Sequence, residues 1–172
     1  MSRRTTLDGP ALNPNRLRCA MGRFATGVTV VTTCTPAGKL EGVTSNSFAT
    51  VSLDPPLVLW SLAWRARSFA GFAGASHFAV NVLGIEARAT RRHFSSPKPD
   101  TLAGIDHQAG HGGCRVLADG IARFECRREV VVDGGGHAIF IGRVLRASFT
   151  DGARLIFAAG DYHRALALSK TE

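Results

Sequence analysis

The chain has 172 residues and is 45% hydrophobic, which is enough for one well-filled core and gives no reason to expect two domains. Its formal charge of +8 comes from 21 basic and 13 acidic residues, but the basic residues form short pairs such as Arg91–Arg92 rather than a basic helix interleaved with aromatics. This scatter argues against a nucleic-acid-binding module and favours a solvated, arginine-rich surface. No apolar run approaches the roughly 18 residues of a membrane span, so we expect a cytoplasmic protein that has no membrane partner.

Cysteine and histidine spacing gives no support for a metal site. Four cysteines lie far apart and none belongs to a CxxC pair: Cys19, Cys34, Cys114 and Cys126. This spacing predicts buried free thiols in a reducing compartment rather than a zinc ribbon or a thioredoxin-type motif. His107 and His111 have the i, i+4 spacing of a metal pair, but the glycines around them disfavour a helix. We therefore predict no bound metal.

The N-terminal region is predicted to be a lead-in followed by a helix. Residues 1–12 are expected to be disordered, and a single domain is expected to span residues 13–168. Asn13 and Pro14 are suited to cap and begin a helix, and Gly27 is suited to end it. The apolar residues that fall on one face of this helix are Leu17, Ala20, Met21 and Phe24.

After a strand predicted at residues 28–33, the stretch Gly42–Ala63 reads GVTSNSFATVSLDPPLVLWSLA and joins a polar run to two strand-like segments. The polar run consists of Thr44, Ser45, Asn46 and Ser47. Its hydroxyls, carboxamide and backbone N–H groups suit a polar ligand that carries carbonyls and phosphate, and an edge strand rich in Ser and Thr is the alternative. The residues predicted to face the core before the break at Asp54–Pro56 are Val43, Phe48, Val51 and Leu53.

Short strands and tight turns dominate the rest of the chain, which predicts antiparallel connections. In order, the pattern predicts a helix at Ser68–Gly74, a strand at His77–Leu83, a helix at Ile85–Phe94, an irregular section at Ser95–Gly113, strands at Cys114–Val132, Ala138–Phe149 and Leu155–Ala158, and a polar tail at Gly160–Arg164. We therefore expect an all-β barrel with a few peripheral helices.

Few residues are arranged for protein-based catalysis. Gly134–Gly136 is not followed by a helix, so a β-turn is favoured over a phosphate-binding loop. No serine lies in a G-x-S-x-G elbow, which gives hydrolase chemistry no support. His137 stands where a turn passes into a strand and is either a cleft residue or an ordinary core or surface histidine. The remaining interpretation is that a bound cofactor carries the reaction.

Taken together, five segments resemble the flavin reductase-like family, the small NAD(P)H:flavin reductases that serve two-component flavin-dependent monooxygenases. The segments are RCAMGRFATGVTVVTT (Arg18–Thr33), GVTSNSFATVSLDPPLVLWSL (Gly42–Leu62), HFAVNVL (His77–Leu83), GHAIFIGRV (Gly136–Val144) and GDYHRAL (Gly160–Leu166). The resemblance covers about residues 16–166. It implies an FMN-binding split β-barrel, antiparallel and Greek-key-like, and a homodimer with its active site near the subunit interface.

The resemblance also implies roles for individual residues. It places the flavin-binding turn at Thr44, Ser45, Asn46 and Ser47, the strand end along the flavin ring at Ser61, Leu62 and Ala63, and the phosphate contact at Arg67 and Ser68. Arg18, His137 and Tyr162 match positions that approach the nicotinamide nucleotide, and His137 is the candidate catalytic residue. The family commonly has Gly-Asp-His where this chain has Gly135–Gly136–His137, so a carboxylate is missing here.

The implied reaction is hydride transfer from NADH or NADPH to FMN or FAD, followed by release of reduced flavin to a separate monooxygenase. Three alternatives remain at this point: a non-catalytic flavin carrier on the same barrel, a heme- or pyridoxal-phosphate-handling relative, and a basic nucleic-acid module. The sequence does not distinguish FMN from FAD or NADH from NADPH.

Overall fold

The computed structural model describes residues 5–95 and 102–166. Residues 1–4 of the predicted lead-in and residues 167–168 of the predicted domain lie outside the described residues. Within them, three α-helices are α1 at Pro14–Met21, α2 at Phe69–Gly74 and α3 at Arg88–Ser95, and 3-10 turns lie at Gly9–Ala11 and His111–Gly113. No described helix has the length and apolar character needed to cross a membrane.

Strands make up about half of the described chain. In chain order, β1 to β12 are Thr26–Gly27, Thr29–Cys34, Leu40–Ser45, Ala49–Leu53, Pro56–Ala63, His77–Leu83, His107–Ala109, Arg115–Leu117, Gly120–Asp133, His137–Phe149, Leu155–Ala158 and Asp161–Arg164.

The main sheet has seven strands in the order β3-β2-β6-β9-β10-β5-β4, and every neighbouring pair is antiparallel. A three-stranded sheet has the order β1-β11-β12, and β7 pairs with β8. The two edge strands of the main sheet, β3 and β4, do not pair with each other in the described residues, so the barrel is split rather than closed. This architecture confirms the predicted mainly antiparallel β fold with few helices.

The main core lies inside the curved sheet and is centred on Trp60, which is fully buried. The Trp60 ring stacks on Phe140 with centroids 4.8 Å apart and meets Phe72 edge-on at 4.9 Å. Aromatic pairs of this kind add to the free energy gained by burying their apolar surface. Phe72 comes from α2, so this packing fixes the helix that follows β5 against the barrel.

A second core lies beneath α3 and the three-stranded sheet. Its buried residues include Val28, Leu83 and Leu155, and the rings of Phe94 and Tyr162 pack against them. Because Gly42 has no side chain, the Phe94 ring approaches the backbone of β3 closely: an added Cβ would lie 2.5 Å from Phe94 Cε1. This contact holds α3 against the strand that leads into the polar run.

The first predicted helix begins as expected and ends early. Asn13 Oδ1 accepts a hydrogen bond from the Arg16 N–H at 3.0 Å, which confirms the cap. The helix ends at Met21 instead of near Gly27, because Gly22 is its C-cap and the chain turns into β1. The apolar face is exposed at its end: Met21 is 66% exposed, and Phe24, which lies beyond the helix, is 78% exposed.

Three other predictions were corrected. Val51 and Leu53 point outward, and Leu53 is 93% exposed, because a bulge near Thr50–Ser52 interrupts the alternation of β4. The long strand predicted from Cys114 is broken by a turn into β8 and β9. The polar tail is β12, which pairs with β11.

Two helix and loop predictions were also revised. The helix predicted to start at Ile85 begins three residues later, at Arg88. The irregular section contains β7 and a 3-10 turn, and its residues 96–101 lie outside the described part of the chain.

Candidate functional site

The polar run begins at the end of β3 and is held by its own side chains. Thr29 Oγ1 donates a hydrogen bond to the carbonyl oxygen of Ser45 at 2.7 Å, and Ser45 is buried. The hydroxyls of Ser45 and Ser47 lie 2.7 Å apart, and the Ser47 N–H donates to Ser45 Oγ at 3.2 Å. These contacts define the turn that follows β3.

The same turn is tied to β5 through Ser47. Ser61 N–H donates to Ser47 Oγ at 2.8 Å, and the Ser61 carbonyl oxygen lies 3.3 Å from the same hydroxyl. Since β3 and β5 are not neighbours in the sheet order, this link joins two strands that the sheet itself does not pair. The hydroxyls of Ser45 and Ser47 therefore hold the turn in shape, a role that the sequence did not reveal.

The other two residues of the polar run differ in their surroundings. Asn46 is exposed, so its carboxamide faces solvent. The hydroxyl of Thr44 is enclosed and has no hydrogen-bond partner. An enclosed hydroxyl without a partner is unfavourable. A bound group that offers a carbonyl or phosphate oxygen at this turn would relieve that cost, so the donor set fits a flavin.

A pocket of about 380 Å³ opens where β5 ends and β10 begins. The register pairs His137 with Ala63, which brings two predicted site positions into contact. The pocket is lined by Ala63, Trp64, Arg65, Gly136 and His137. Its volume falls within the range of small-molecule sites. His137 is exposed at this pocket and is not a core histidine.

Two hydrogen bonds from Trp64 hold the turn before β10 in place. The Trp64 backbone N–H donates to the Gly136 carbonyl at 3.3 Å, and its indole N–H donates to the Gly135 carbonyl at 2.8 Å. Gly135 has φ 78°, a conformation that favours glycine. Sequence reasoning missed Trp64 and Arg65 as pocket residues. An aromatic and a basic residue directly after a strand end were the available signal.

The predicted phosphate contact lies one short loop further on. Ser68 precedes α2 and is buried, and its side chain makes no capping hydrogen bond to the helix. Arg67 is exposed beside it. Because α2 has only six residues, its dipole adds little, and Arg67 is the main source of positive charge at this end of the helix.

Arg18 and Tyr162 lie on other elements than His137. Arg18 is in α1, where its guanidinium donates to Asn15 Oδ1 at 3.2 Å. Tyr162 is in β12, and its ring meets Phe157 edge-on at 5.4 Å and lies under the guanidinium of Arg91. The structure therefore groups Ser45, Ser47 and Ser61, and separately Ala63 with His137, but it leaves Arg18 and Tyr162 on α1 and the small sheet.

The thiols fit the predicted free cysteines only in part. Cys114 and Cys126 are buried, and burial raises the pKa of each thiol to about 12, so both are unreactive at neutral pH. Cys34 is half-buried and Cys19 is exposed, which corrects the expectation of four buried thiols. No group of three or more potential metal ligands occurs among the described residues.

Comparison with known proteins links this geometry to one family. A family model described as "Flavin reductase like domain" matches residues 21–166. The FMN reductase (NADH) SmoA of Agrobacterium fabrum is 43% identical over 152 residues, which cover 88% of this chain and 86% of SmoA. HsaB, the reductase subunit of a flavin-dependent monooxygenase of Rhodococcus jostii, is 40% identical over 153 residues, which cover 88% of this chain and 78% of HsaB.

Solved structures agree with these sequence matches. The NADH:FAD oxidoreductase SgcE6 of Streptomyces globisporus, solved in complex with NAD and FAD fragments, superposes with a TM-score of 0.87 at 31% identity. The match covers 98% of this chain and 100% of that one. Some other relatives are longer, and this chain spans about half of their length.

Proposed function

The chain belongs to the flavin reductase-like domain family, and from this premise we propose that it transfers hydride from NADH or NADPH to FMN or FAD. The reduced flavin then leaves for a separate flavin-dependent monooxygenase in the cytoplasm. Such a reaction is that of an NAD(P)H:flavin oxidoreductase of the EC 1.5.1 type. The agreement with SgcE6 over nearly the whole chain is the observation that carries this proposal.

The flavin is proposed to lie along the turn after β3 and the end of β5. Asn46 supplies an exposed carboxamide and Thr44 a hydroxyl without a partner, while Ser45 and Ser47 hold the turn in shape. The strand end at Ser61, Leu62 and Ala63 runs beside the ring. Arg67 and Ser68 take the phosphate at the start of α2, where a guanidinium can form charge-assisted hydrogen bonds.

The nicotinamide nucleotide is proposed to approach His137, with Arg18 and Tyr162 as further contacts. When both cofactors are bound, they supply the chemistry: hydride passes from the nicotinamide ring to the flavin ring. The protein holds the two rings in line and needs no acid or nucleophile of its own. Because Gly136 offers no carboxylate, the imidazole of His137 acts by hydrogen bonding to the nucleotide rather than as part of an ion pair.

A homodimer is proposed because one face of the main sheet is apolar and half exposed. On the outward side of β9 and β10, Val130 is 46% exposed and Val132 is 43% exposed. The register pairs these residues with Ile141 and Ile139. Covering this face with a second copy would remove apolar surface from water. Light scattering of the wild type and of Val132→Asp tests this, with a dimer expected for the first and a monomer for the second.

One steady-state experiment tests the proposed reaction. The purified protein is mixed with each combination of NADH or NADPH and FMN or FAD, and nucleotide oxidation is followed by absorbance. We expect oxidation that depends on added flavin and is faster with one nucleotide than with the other. Flavin binding without nucleotide oxidation in all four combinations would instead identify a non-catalytic carrier and refute the proposal.

A further inference from the structure

We propose that Arg91, held over the ring of Tyr162, forms a subsite for the adenosine diphosphate part of a dinucleotide. The inference rests on the proposed function and adds to it a residue and a ligand group. The carbon at the centre of the Arg91 guanidinium lies 4.6 Å from the centroid of the Tyr162 ring. At this distance the positive charge is attracted to the negative face of the aromatic ring.

The platform under Arg91 is fixed by packing on both sides. The Tyr162 ring meets Phe157 edge-on at 5.4 Å, and both rings pack on the second core. Arg91 lies on α3 one turn before Phe94, whose ring packs on β3 at Gly42. A long side chain that is already held in place loses less conformational entropy when a ligand binds.

The hydrogen-bond donors of the Arg91 guanidinium are not used within the described part of the chain. Across residues 5–95 and 102–166, no carboxylate forms an ion pair with Arg91, and no acceptor takes a hydrogen bond from its side chain. Arginine in folded proteins usually pairs with a carboxylate or a phosphate when it is held in one place. An arginine that is fixed and half-buried but unpaired is therefore suited to an anionic ligand.

The surrounding charge also favours an anion. Arg91, Arg92 and His93 follow one another in α3, which carries no acidic residue. Asp119 Oδ2 accepts from the Thr90 hydroxyl at 2.5 Å and Asp161 Oδ1 accepts from the Tyr162 N–H at 2.7 Å, and neither carboxylate forms an ion pair with Arg91 in the described residues. No carboxylate on α3 therefore offsets the charge of Arg91.

Adenosine diphosphate matches both properties of this pair. The edges of a guanidinium bind phosphate oxygens in a bidentate manner, and its plane stacks on purine bases. NAD(P)H and FAD share this group, whereas FMN and reduced nicotinamide mononucleotide lack it. Comparing the long and the short form of each cofactor therefore identifies which one uses the subsite.

The first test measures binding of ADP by isothermal titration calorimetry and does not depend on turnover. Loss of a charge-assisted hydrogen bond weakens binding about tenfold or more. We expect this loss for Arg91→Ala and a smaller one for Arg91→Lys, which keeps the charge but not the fork of donors. Arg92→Ala is the matched control, because it removes the same charge from an exposed neighbour on the same helix. Thermal melts establish that each variant is folded.

Kinetics with the four cofactors complete the test. If the subsite serves the nucleotide, Arg91→Ala raises KM for NADH about tenfold and leaves KM for reduced nicotinamide mononucleotide unchanged. If it serves the flavin, the same variant raises KM for FAD and not for FMN. The inference is overturned if wild type and Arg91→Ala bind ADP equally, or if Arg92→Ala weakens ADP binding as much as Arg91→Ala does. Wild-type turnover with NADH and FMN tests the proposed function separately.

Discussion

The hydroxyl of Ser47 is expected to be a structural link, and Ser47→Ala tests that role. In the wild type this oxygen accepts from the Ser61 N–H at 2.8 Å and lies 2.7 Å from Ser45 Oγ. Removing it deletes two hydrogen bonds and leaves the backbone N–H of Ser61 without its partner. Each net hydrogen bond contributes about 1 kcal/mol, and an unsatisfied donor costs about as much again, so we expect a loss of about 3 kcal/mol.

Urea denaturation followed by circular dichroism measures this loss. A change of that size corresponds to a fall of about 6–12 °C in Tm for a domain of this length. Asn46→Ala is the matched control in the same turn, because Asn46 is exposed and its loss should change stability by less than about 0.5 kcal/mol. Asn46→Ala should instead weaken flavin binding. If Ser47→Ala is as stable as wild type while Asn46→Ala is less stable, the Ser47 hydroxyl is not the structural link of this turn.

Three further predictions concern other elements. His137→Ala should raise KM for NADH roughly 3- to 10-fold and leave flavin affinity unchanged, and equal effects on both ligands would contradict the assignment. Gly142→Ala should destabilise the protein by about 1–3 kcal/mol, because the new Cβ would clash with the buried Phe78 ring, whereas Gly27→Ala has open space and should not. Burial, together with the nearby His111, lowers the pKa of His77, so the stability of the protein should fall as the pH drops below 6.5. His77→Asn should flatten that dependence, as measured by thermal melts from pH 7.5 to about 5.5.

The sign of the last effect follows from which state binds the proton. A histidine whose pKa is lowered in the folded state is protonated first in the unfolded chain, so acid favours unfolding between the two pKa values. Above the ordinary pKa of 6.5 both states hold a neutral imidazole and the contribution is constant.

Local sequence patterns predicted the bounds of those elements whose ends depend mainly on neighbouring residues. The strands His77–Leu83 and Leu155–Ala158 have the predicted bounds, and Asn13 caps α1 as expected. In each case the fold places the apolar or capping residues in the environment that their local pattern predicts. The mainly antiparallel fold followed from the same short strands and turns.

Elements whose environment is set by distant parts of the chain were not predictable in this way. The tail Gly160–Arg164 has no strand-like alternation, and it becomes β12 because a left-handed turn at Ala159 and Gly160 folds it back on β11. Helical spacing put Met21 and Phe24 on one apolar face, but no part of the described chain covers either residue.

The candidate site was likewise predictable only where residue type alone marks a position. The polar run at residues 44–47 was recognised from its residue types, yet only the structure shows that Ser45 and Ser47 bond to each other and to β5. Trp64 and Arg65 enter the pocket because the register of β5 on β10 brings the strand end beside His137. Such cross-strand pairings depend on the whole sheet, so residue type could mark Trp64 and Arg65 as candidates but could not place them beside His137.

Anaerobic reduction of free flavin tests the proposed hydride transfer most directly. A catalytic amount of the protein is added to oxidised FMN or FAD and NADH without oxygen, and the visible absorbance of the flavin is recorded. We expect the flavin to bleach over many turnovers, with one NADH consumed for each flavin reduced. Bleaching no faster than in the protein-free mixture, for both flavins and with either NADH or NADPH, would contradict it.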